Sequence, residues 1–408
     1  MSFDMGGTTA KACLIEDDQP LIASQFEVDR MYRFKPGSGL PVAVPCIDMI
    51  EVGAGGGSIA HVDTLGLLKV GPQSAGSEPG PACYGRRGTQ ATVTDADVVL
   101  GLIDPQRFLG GDMPLDASAA RASIAAVARE LKLGEHETAA GIHRLVCEAM
   151  AAATRAHATD RGVDHRGMPL FAFGGAGPVH ACQVAELLQA PIVVFPPYAS
   201  VLSAFGALVT PPRLDLVRGF LSPVDAIDWQ EASKLISEMM QQASSALLDA
   251  GCAEKDVRFT FGADLRYLGQ QNELTVWLPH APRSASDAEG MLREFEKVYR
   301  AHYSVTLAGS PVEIVSWRVT AEGPLRAVVS VPDLPAKSAA MPRGKRSVYL
   351  WGEAQGVPVW DRATLGLDAK LSGPALIEER ETTIVLAPGW QGSVDRTGSL
   401  IATREASP

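Results

Sequence analysis

The sequence predicts an α/β domain followed by a smaller α+β domain, and three features support this prediction. At 408 residues, with 46% of them hydrophobic and 20% charged, the chain is long enough to bury more than one core. Through about residue 220, short apolar runs alternate with helical stretches of small residues, and glycine is frequent. After Pro211 and Pro212, amphipathic helices and strand-like runs follow. We therefore predict domains over residues 1–220 and 221–408.

Charge and cysteine usage narrow the class of protein. The net charge of -11 disfavours general affinity for nucleic acid or an anionic membrane. No apolar run approaches the roughly 20 residues of a membrane helix, and the first residues lack a signal-peptide pattern. Six cysteines stand singly, which favours reduced thiols. We expect a cytoplasmic protein with no nucleic-acid or membrane partner.

The first half shows an ordered series of elements. A turn over residues 17–20 precedes a predicted strand at residues 21–28. Residues 116–133 and 137–160 predict two helices, the second ending before Gly162. Residues 70–88, rich in Gly, Pro and Ser, predict a folded loop close to the glycine-rich motifs described below.

The second half has a different pattern. Apolar residues at helical spacing predict helices at residues 229–250 and 289–303, and residues 323–346 read as a long exposed connection. The strand-like runs are residues 257–268, 273–278, 312–319, 348–351 and 382–386.

The most informative segment is residues 4–9 (DMGGTT), where a carboxylate precedes a glycine pair and two hydroxyls. An acid at the end of a short strand, followed by such a turn, makes a phosphate cradle with a metal or water anchor beside it. A plain hairpin in which Asp4 caps its own turn is the alternative interpretation.

A second segment, residues 171–180 (FAFGGAGPVH), reads as an apolar strand, a glycine turn and a helix with Pro178 at its first position. Backbone N–H groups at such a helix start suit an anion, and glycines let a nucleoside approach closely. The glycine spacing fails the GxGxxG pattern, so a nicotinamide cofactor is disfavoured. His180 is either a catalytic candidate or a hydrogen-bonded helix residue.

Two further segments complete the candidate site. Residues 53–58 (GAGGGS) cost so much backbone entropy that close approach by a ligand or another backbone explains them better than a plain loop. Asp95, in residues 92–97 (TVTDAD), begins a predicted helix and serves either as its N-cap or as a base or metal-water ligand.

In their order along the chain, these motifs resemble the hydantoinase A/5-oxoprolinase family, which includes N-methylhydantoinase A and subunits of acetone and acetophenone carboxylases. Each motif alone is weak, but the shared order is specific and covers nearly the whole chain. The segments that carry the resemblance are residues 3–8, 53–59, 70–76, 79–85, 92–97, 173–180, 266–270 and 373–378.

The resemblance implies an actin-like, sugar-kinase-like (ribonuclease H-like) ATPase domain, N-terminally incomplete, followed by an α+β C-terminal domain. It also implies ATP and Mg²⁺ or another divalent metal, because family members activate a carbonyl oxygen by phosphorylation. Asp4 would anchor the metal, and Asp4, Asp95 and His180 are the catalytic candidates. The implied cofactor-binding residues are Gly6, Gly7, Thr8, Thr9, Lys11, Gly53, Gly55, Gly56, Gly57, Ser58, Gly174, Gly175 and Gly177.

Relatives in the family carry a preceding segment with its own phosphate turn, so we expect two partners: that missing N-terminal segment and a hydantoinase B-type subunit. Because opposing turns grip one triphosphate, this chain alone should turn over slowly, and a hetero-oligomer is expected. The predicted function is a subunit or fragment of an ATP-dependent hydrolase that opens a cyclic amide such as 5-oxoproline, hydantoin or N-methylhydantoin. A subunit of an ATP-dependent ketone carboxylase and a non-catalytic nucleotide-binding fragment are the alternatives. A sugar kinase is disfavoured, because residues 53–88 are foreign to that family.

Overall fold

The computed structural model describes residues 1–16, 19–23, 26–29, 31, 37–42, 44, 46–307, 309–325 and 341–404. Two compact units are present, one formed by Met1–Phe205 with Ser330–Pro408 and the other by Gly206–Val329. The chain beyond residue 330 therefore groups with the first 205 residues, whereas the sequence analysis places it in the second domain. The division near residue 220, as a boundary between family segments, stays a prediction.

Short strands supply most of the regular elements among the described residues. In chain order they are β1 Ser2–Met5, β2 Ala10–Cys13, β3 Ile15–Glu16, β4 Gln19–Pro20, β5 Ile22–Ala23, β6 Phe26–Val28, β7 Leu40–Val42, β8 Cys46–Ile47, β9 Met49–Val52, β10 Ser58–Val62, β11 Leu68–Ser74, β12 Leu170–Phe173, β13 Ile192–Phe195, β14 Arg213–Pro223, β15 Arg258–Tyr267, β16 Leu274–Leu278, β17 Val312–Glu322, β18 Gly344–Val348, β19 Gln355–Asp361, β20 Lys370–Ser372, β21 Ala375–Glu378, β22 Thr383–Leu386, β23 Trp390–Val394 and β24 Leu400–Arg404. The α-helices are α1 Val93–Val99, α2 Ala117–Leu131, α3 Glu135–Asp160, α4 Gly177–Leu187, α5 Leu202–Val209, α6 Trp229–Asp249 and α7 Ala285–Tyr303.

An eight-stranded mixed sheet organises the first unit, in the order β20-β23-β24-β13-β12-β1-β2-β9. Strand β1 pairs in parallel with β12, and β12 with β13, whereas β2 is antiparallel to both β1 and β9. Within the five strands β9-β2-β1-β12-β13, β2 alone therefore opposes the direction of the others. Strand β1 alternates in burial, with Phe3 and Met5 in the core, as expected of a strand that packs one face against helices.

Residues 341–404 contribute both to this sheet and to a second one. Strands β20, β23 and β24 extend the eight-stranded sheet, and β18-β19-β21-β22 form a four-stranded sheet in the same unit. The strand predicted at residues 348–351 is wrong in position, because the observed strand β18 ends at Val348 and a turn follows. Part of the connection predicted at residues 323–346 also lies in β18, and residues 326–340 fall outside the described residues.

The second unit is an antiparallel sheet with two amphipathic helices. Its strand order is β14-β17-β15-β16, and α6 and α7 bury one face each in a core that includes Phe295, Ile314 and Trp317. Asp228 caps α6 by accepting from two backbone N–H groups, and Ser284 opens α7 with a capping box. This unit has the predicted α+β character, since the helices at residues 229–250 and 289–303 and the strands at 257–268, 273–278 and 312–319 are confirmed.

The predicted helices of the first half are confirmed as α2 and α3, and α3 ends at Asp160, two residues before Gly162. The predicted strand at residues 21–28 corresponds to β5 and β6, with residues 24 and 25 outside the described set, as are Asp17 and Asp18 of the preceding turn. Residues 70–88 are partly strand, because β11 runs to Ser74. Of the helices that the described residues form, none has the length and apolar character needed to cross a membrane.

Candidate functional site

Three glycine-rich turns that are far apart in sequence meet in the first unit. The 6–9 turn joins β1 to β2, residues 53–57 join β9 to β10, and residues 174–176 join β12 to α4. Backbone hydrogen bonds connect them: Gly56 N–H donates to Gly6 O at 3.0 Å, Gly57 N–H to Gly7 O at 2.6 Å, and Ala176 N–H to Met5 O at 2.9 Å. The structure therefore assembles most of the predicted cofactor-binding residues in one place.

Asp4 lies at this meeting point, at the end of β1. Burial raises the pKa of its carboxyl group, while the neighbouring Lys11 ammonium and the Ser203 hydroxyl counteract that rise. A Cβ at Gly174 would overlap Asp4 Oδ1 and the Met5 carbonyl, and Gly174 has φ +86°. The glycine is thus required both by its left-handed backbone and by the carboxylate beside it.

The buried loop over residues 53–58 packs directly beneath the 6–9 turn. A Cβ at Gly55 would lie 2.7 Å from Gly7 C and Thr8 N, and one at Gly57 would lie 2.9 Å from Gly7 O. Gly55 N–H also donates to Ser58 Oγ at 2.9 Å, which closes the loop on itself. The close approach that the sequence predicts is therefore made by another backbone, and this loop shapes the phosphate turn from behind.

The exposed side of the site is formed by the first and third turns. Gly7, Thr8 and Gly175 are exposed, and a Cβ at Gly7 or Gly175 would meet no atom within 4 Å. Lys11 Nζ lies 3.3 Å from Thr9 Oγ1 and 3.6 Å from Glu51 Oε1, so a cation stands beside the turn. Backbone N–H, hydroxyl and ammonium groups are suited to bind a phosphate, and a neighbouring carboxylate is suited to bind the Mg²⁺ that accompanies it.

Asp95 has a different position from the one predicted. It is fully buried and accepts hydrogen bonds from Ala82 N, Cys83 N, Thr92 N and Thr92 Oγ1 at 2.8–3.1 Å. Asp95 thereby ties the 82–84 turn to the start of α1, where it forms a capping box with Thr92. The N-cap of α1 is Thr92 and Asp95 is the N3 residue of its capping box, so the predicted N-cap position is wrong by three residues. The geometry supports a structural role at the helix start and gives no support to a role at the reacting centre.

His180 is also buried, and it belongs to a separate cluster. Its Nε2 lies 3.2 Å from Asp97 Oδ2, and its ring stacks on His143 at a centroid distance of 4.3 Å. The exposed fraction of His180 is 0%, so a bound substrate could not touch it in this arrangement. The prediction of a catalytic His180 therefore lacks geometric support, and the hydrogen-bonded helix residue is the better description.

Two further residues contact Asp4 or the turns, and the sequence did not predict either contact. Ser203, in α5, approaches Asp4, and Thr382 Oγ1 donates to Gly175 O at 2.9 Å. Residues 373–378 form part of the family resemblance, yet no local pattern assigns a contact to Thr382 just beyond them. Both contacts depend on chain segments that are distant in sequence.

Residues 378–381, from the C-terminal part of the first unit, line a depression beside Gly175. The depression, bounded also by Arg107 and Thr382, shares these residues with a cavity of about 770 Å³. In its wall, Glu379 is paired with Arg362 at 3.5 Å, and burial raises the pKa of Glu379 to about 7. Four arginines line this cavity, and each of them is ion-paired with a carboxylate. They are Arg107, Arg343, Arg362 and Arg380.

Comparison with protein families matches nearly the whole chain. The model described as Hydantoinase/oxoprolinase matches residues 1–215, and the one described as Hydantoinase/oxoprolinase C-terminal domain matches residues 226–405. The resemblance inferred from the motifs is thereby confirmed.

Individual relatives agree with the family matches. Caprolactamase subunit alpha of Pseudomonas jessenii is 32% identical, with 100% of this chain and 58% of that protein aligned. Acetophenone carboxylase gamma subunit of Aromatoleum aromaticum is 33% identical, over 98% of this chain and 55% of that protein. The nucleotide-free structure of an acetone carboxylase superposes with a TM-score of 0.81 and 25% identity, over 99% of this chain and 58% of that chain. This chain thus spans a little over half the length of these relatives.

Proposed function

This chain belongs to the hydantoinase/oxoprolinase family, and we propose that it supplies the ATP-binding part of an enzyme that phosphorylates the carbonyl oxygen of a cyclic amide. The observation that carries the proposal is the meeting of three glycine-rich turns beside Asp4. The exposed glycines and the adjacent Lys11 ammonium suit a polyphosphate better than a neutral ligand.

We extend the proposal to the fold of the first unit, which we describe as actin-like and ribonuclease H-like. The strand order β9-β2-β1-β12-β13, with β2 alone reversed, supports this assignment. In such an arrangement the β1–β2 turn and the end of β12 lie at one edge of the sheet. Asp4 and Gly174 occupy those two positions.

Each group has a defined task in this proposal. Asp4 would hold Mg²⁺ or its water, the 6–9 turn and Lys11 would hold the phosphates, and Gly174, Gly175 and Gly177 would leave room for the nucleoside. Bound ATP would supply the phosphoryl group to the carbonyl oxygen, with ADP as the leaving group. Water could then attack the activated carbon, and phosphate would leave as the ring opens. Positioning and charge neutralisation account for most of the catalysis of such a transfer.

The substrate class rests on the relatives. Caprolactamase subunit alpha is named for a cyclic amide, and its alignment covers this whole chain. We therefore propose a lactam or hydantoin ring as substrate. A ketone carboxylase is the second candidate, favoured by the acetophenone carboxylase gamma subunit and by the structural superposition on acetone carboxylase.

We also propose a hetero-oligomer as the working form. Caprolactamase subunit alpha and acetophenone carboxylase gamma subunit carry subunit names. A hydantoinase B-type subunit is the expected partner, and the segments that relatives possess beyond the matched region are expected to complete the ATP site.

An isotope experiment tests the reaction. The chain is assayed together with a hydantoinase B-type subunit and the N-terminal segment of a relative, with MgATP and a lactam or hydantoin whose carbonyl carries oxygen-18. Phosphorylation of that oxygen predicts one labelled oxygen in the released phosphate and a ring-opened product. Ring opening without ATP consumption, or with unlabelled phosphate, would overturn the proposed chemistry.

A parallel assay distinguishes the second candidate. Acetone or acetophenone is supplied with carbon-14 bicarbonate in place of the amide. ATP-dependent transfer of label into a keto acid would replace the hydrolase proposal with a carboxylase. No ATP consumption with either substrate class, although MgATP binds, would leave a non-catalytic nucleotide-binding subunit as the function.

A further inference from the structure

A buried cluster of metal-ligating side chains lies outside the glycine-rich site. His143 and Cys147 are one helical turn apart on α3, and His180 projects from α4. A ring nitrogen from each histidine and the Cys147 Sγ all lie within 4.8 Å of one another, and all three residues are buried. From these three ligands and their surroundings, we propose that the first unit holds one structural Zn²⁺ ion here.

Spacing within the cluster fits zinc. Zinc binds nitrogen at about 2.0 Å and sulfur at about 2.3 Å, so ligand atoms around a tetrahedral ion are roughly 3.5 Å apart. His180 Nδ1 lies 3.5 Å from Cys147 Sγ. The i, i+4 relationship of His143 and Cys147 places both on one face of α3. The remaining spacings lie within 4.8 Å, so zinc binding would draw these ligand atoms closer by up to roughly 1.3 Å.

Asp97 provides a second, independent indication. It is buried in α1, and its two carboxylate oxygens face His143 Nδ1 at 2.8 Å and His180 Nε2 at 3.2 Å. A carboxylate that holds one ring nitrogen of a histidine leaves the other nitrogen for a metal, which is the usual outer contact of zinc-bound histidines. One carboxylate here orients both histidines in this way.

An entry path and a fourth ligand position are available. A cavity of about 330 Å³ borders His143 and is also lined by Arg144, Val179 and Gln183. A water from this cavity completes the tetrahedron. Because α4 begins at Gly177, zinc here would fix the helix that carries the third glycine turn. The ion would act on the fold and not on the phosphate.

The test measures metal binding by the full-length chain. The protein is incubated with Zn²⁺, desalted and analysed for metal, and a Co²⁺-loaded sample is examined for a thiolate-to-cobalt charge-transfer band. We expect about one Zn²⁺ per chain and the cobalt band in the wild type. Cys147→Ser should lose the band and at least tenfold in affinity. Cys182→Ser, a buried cysteine of α4 outside the cluster, should keep both.

Two results would overturn the proposal. One is a wild-type chain that retains no stoichiometric zinc and gives no thiolate–cobalt band. This measurement uses the wild type alone and does not depend on the folding of any variant. The other is equal zinc retention by Cys147→Ser and the wild type. In either case the cluster is a hydrogen-bonded network of Asp97 and the two histidines.

Discussion

Asp4 Oδ1 and the backbone of Gly174 are in such close contact that a side chain at position 174 would overlap the carboxylate. These residues are 170 positions apart and lie at the ends of the parallel strands β1 and β12. The contact explains why glycine is needed at position 174.

Gly174→Ala should therefore impair the site more than it impairs the fold. The added Cβ must displace Asp4 or Met5, and an L-residue at φ +86° is strained. We expect MgATP affinity to fall at least tenfold, about 1.4 kcal/mol, measured by titration calorimetry. Gly162→Ala is the matched control, since it carries the same left-handed backbone (φ +69°) outside the site and its Cβ meets open space. Equal affinities in the two variants would contradict this role of Gly174.

Gly55→Ala tests the support that the second turn gives to the first. A Cβ 2.7 Å from Gly7 C and Thr8 N forces the 6–9 turn to move, and overpacking of this kind costs about 1–3 kcal/mol. Chemical denaturation should show that loss of stability, together with weaker MgATP binding. Gly53→Ala, whose Cβ would make an ordinary 3.4 Å contact with Pro72, should change both quantities much less. A Gly55→Ala variant with wild-type affinity would show that the loop does not shape the turn.

Asp95→Asn should be a stability variant. The change converts one acceptor oxygen into a donor among four donors, and an unsatisfied buried group of this type costs about 2 kcal/mol or more. Asp116→Asn is the control, because Asn caps a helix as well as Asp does and Asp116 caps α2 at the surface. Urea unfolding should separate the two variants. A fully stable Asp95→Asn protein that binds MgATP but does not turn over would restore the catalytic interpretation.

Glu379 should make the free energy of unfolding depend on pH. Burial raises its pKa in the folded chain from an ordinary 4.5 to about 7, opposed by Arg362 and assisted by Glu381. Between these pH values the folded state binds more protons than the unfolded state, so this contribution to stability is lost as pH rises from 4.5 through 7. A difference of this size is on the order of 3 kcal/mol.

Urea unfolding of Glu379→Gln across that pH range measures the effect. The slope of unfolding free energy against pH should become less negative than in the wild type. Glu353→Gln, at an exposed side chain that does not contribute to the Glu379 shift, should keep the wild-type slope. An unchanged slope in Glu379→Gln would mean that Glu379 titrates normally in the folded chain.

Local patterns in the sequence predict the helices and the turns well. Helices α2, α3 and α6 follow from apolar spacing and end signals, and the glycine strings at residues 6, 53 and 174 mark real close approaches. The pattern cannot say what approaches. At Gly55 it is the backbone of Gly7 and Thr8, and at Gly174 it is Asp4, and both contacts require the tertiary arrangement of the sheet.

The assignments of Asp95 and His180 show the same limit. An acid that begins a helix and a histidine after a glycine turn are both compatible with catalysis, and burial decides against it here. The spacing of His143 and Cys147 is visible in the sequence, but their proximity to Asp97 and His180 depends on how α1, α3 and α4 pack. Local sequence patterns also cannot predict that residues 341–404 join the first unit, because this depends on pairing between strands far apart in sequence, such as β13 and β24.

Calorimetric titration of MgATP into the wild-type chain and into Asp4→Asn tests the central claim most directly. If the three turns build a phosphate site around Asp4, the wild type binds MgATP, and the Asp4→Asn variant binds it at least tenfold more weakly while keeping its thermal stability. The loss should be smaller for ATP in the presence of a chelator, since Asp4 acts through the metal. Equal binding of MgATP by both proteins, or no binding by the wild type at millimolar concentration, would contradict the account.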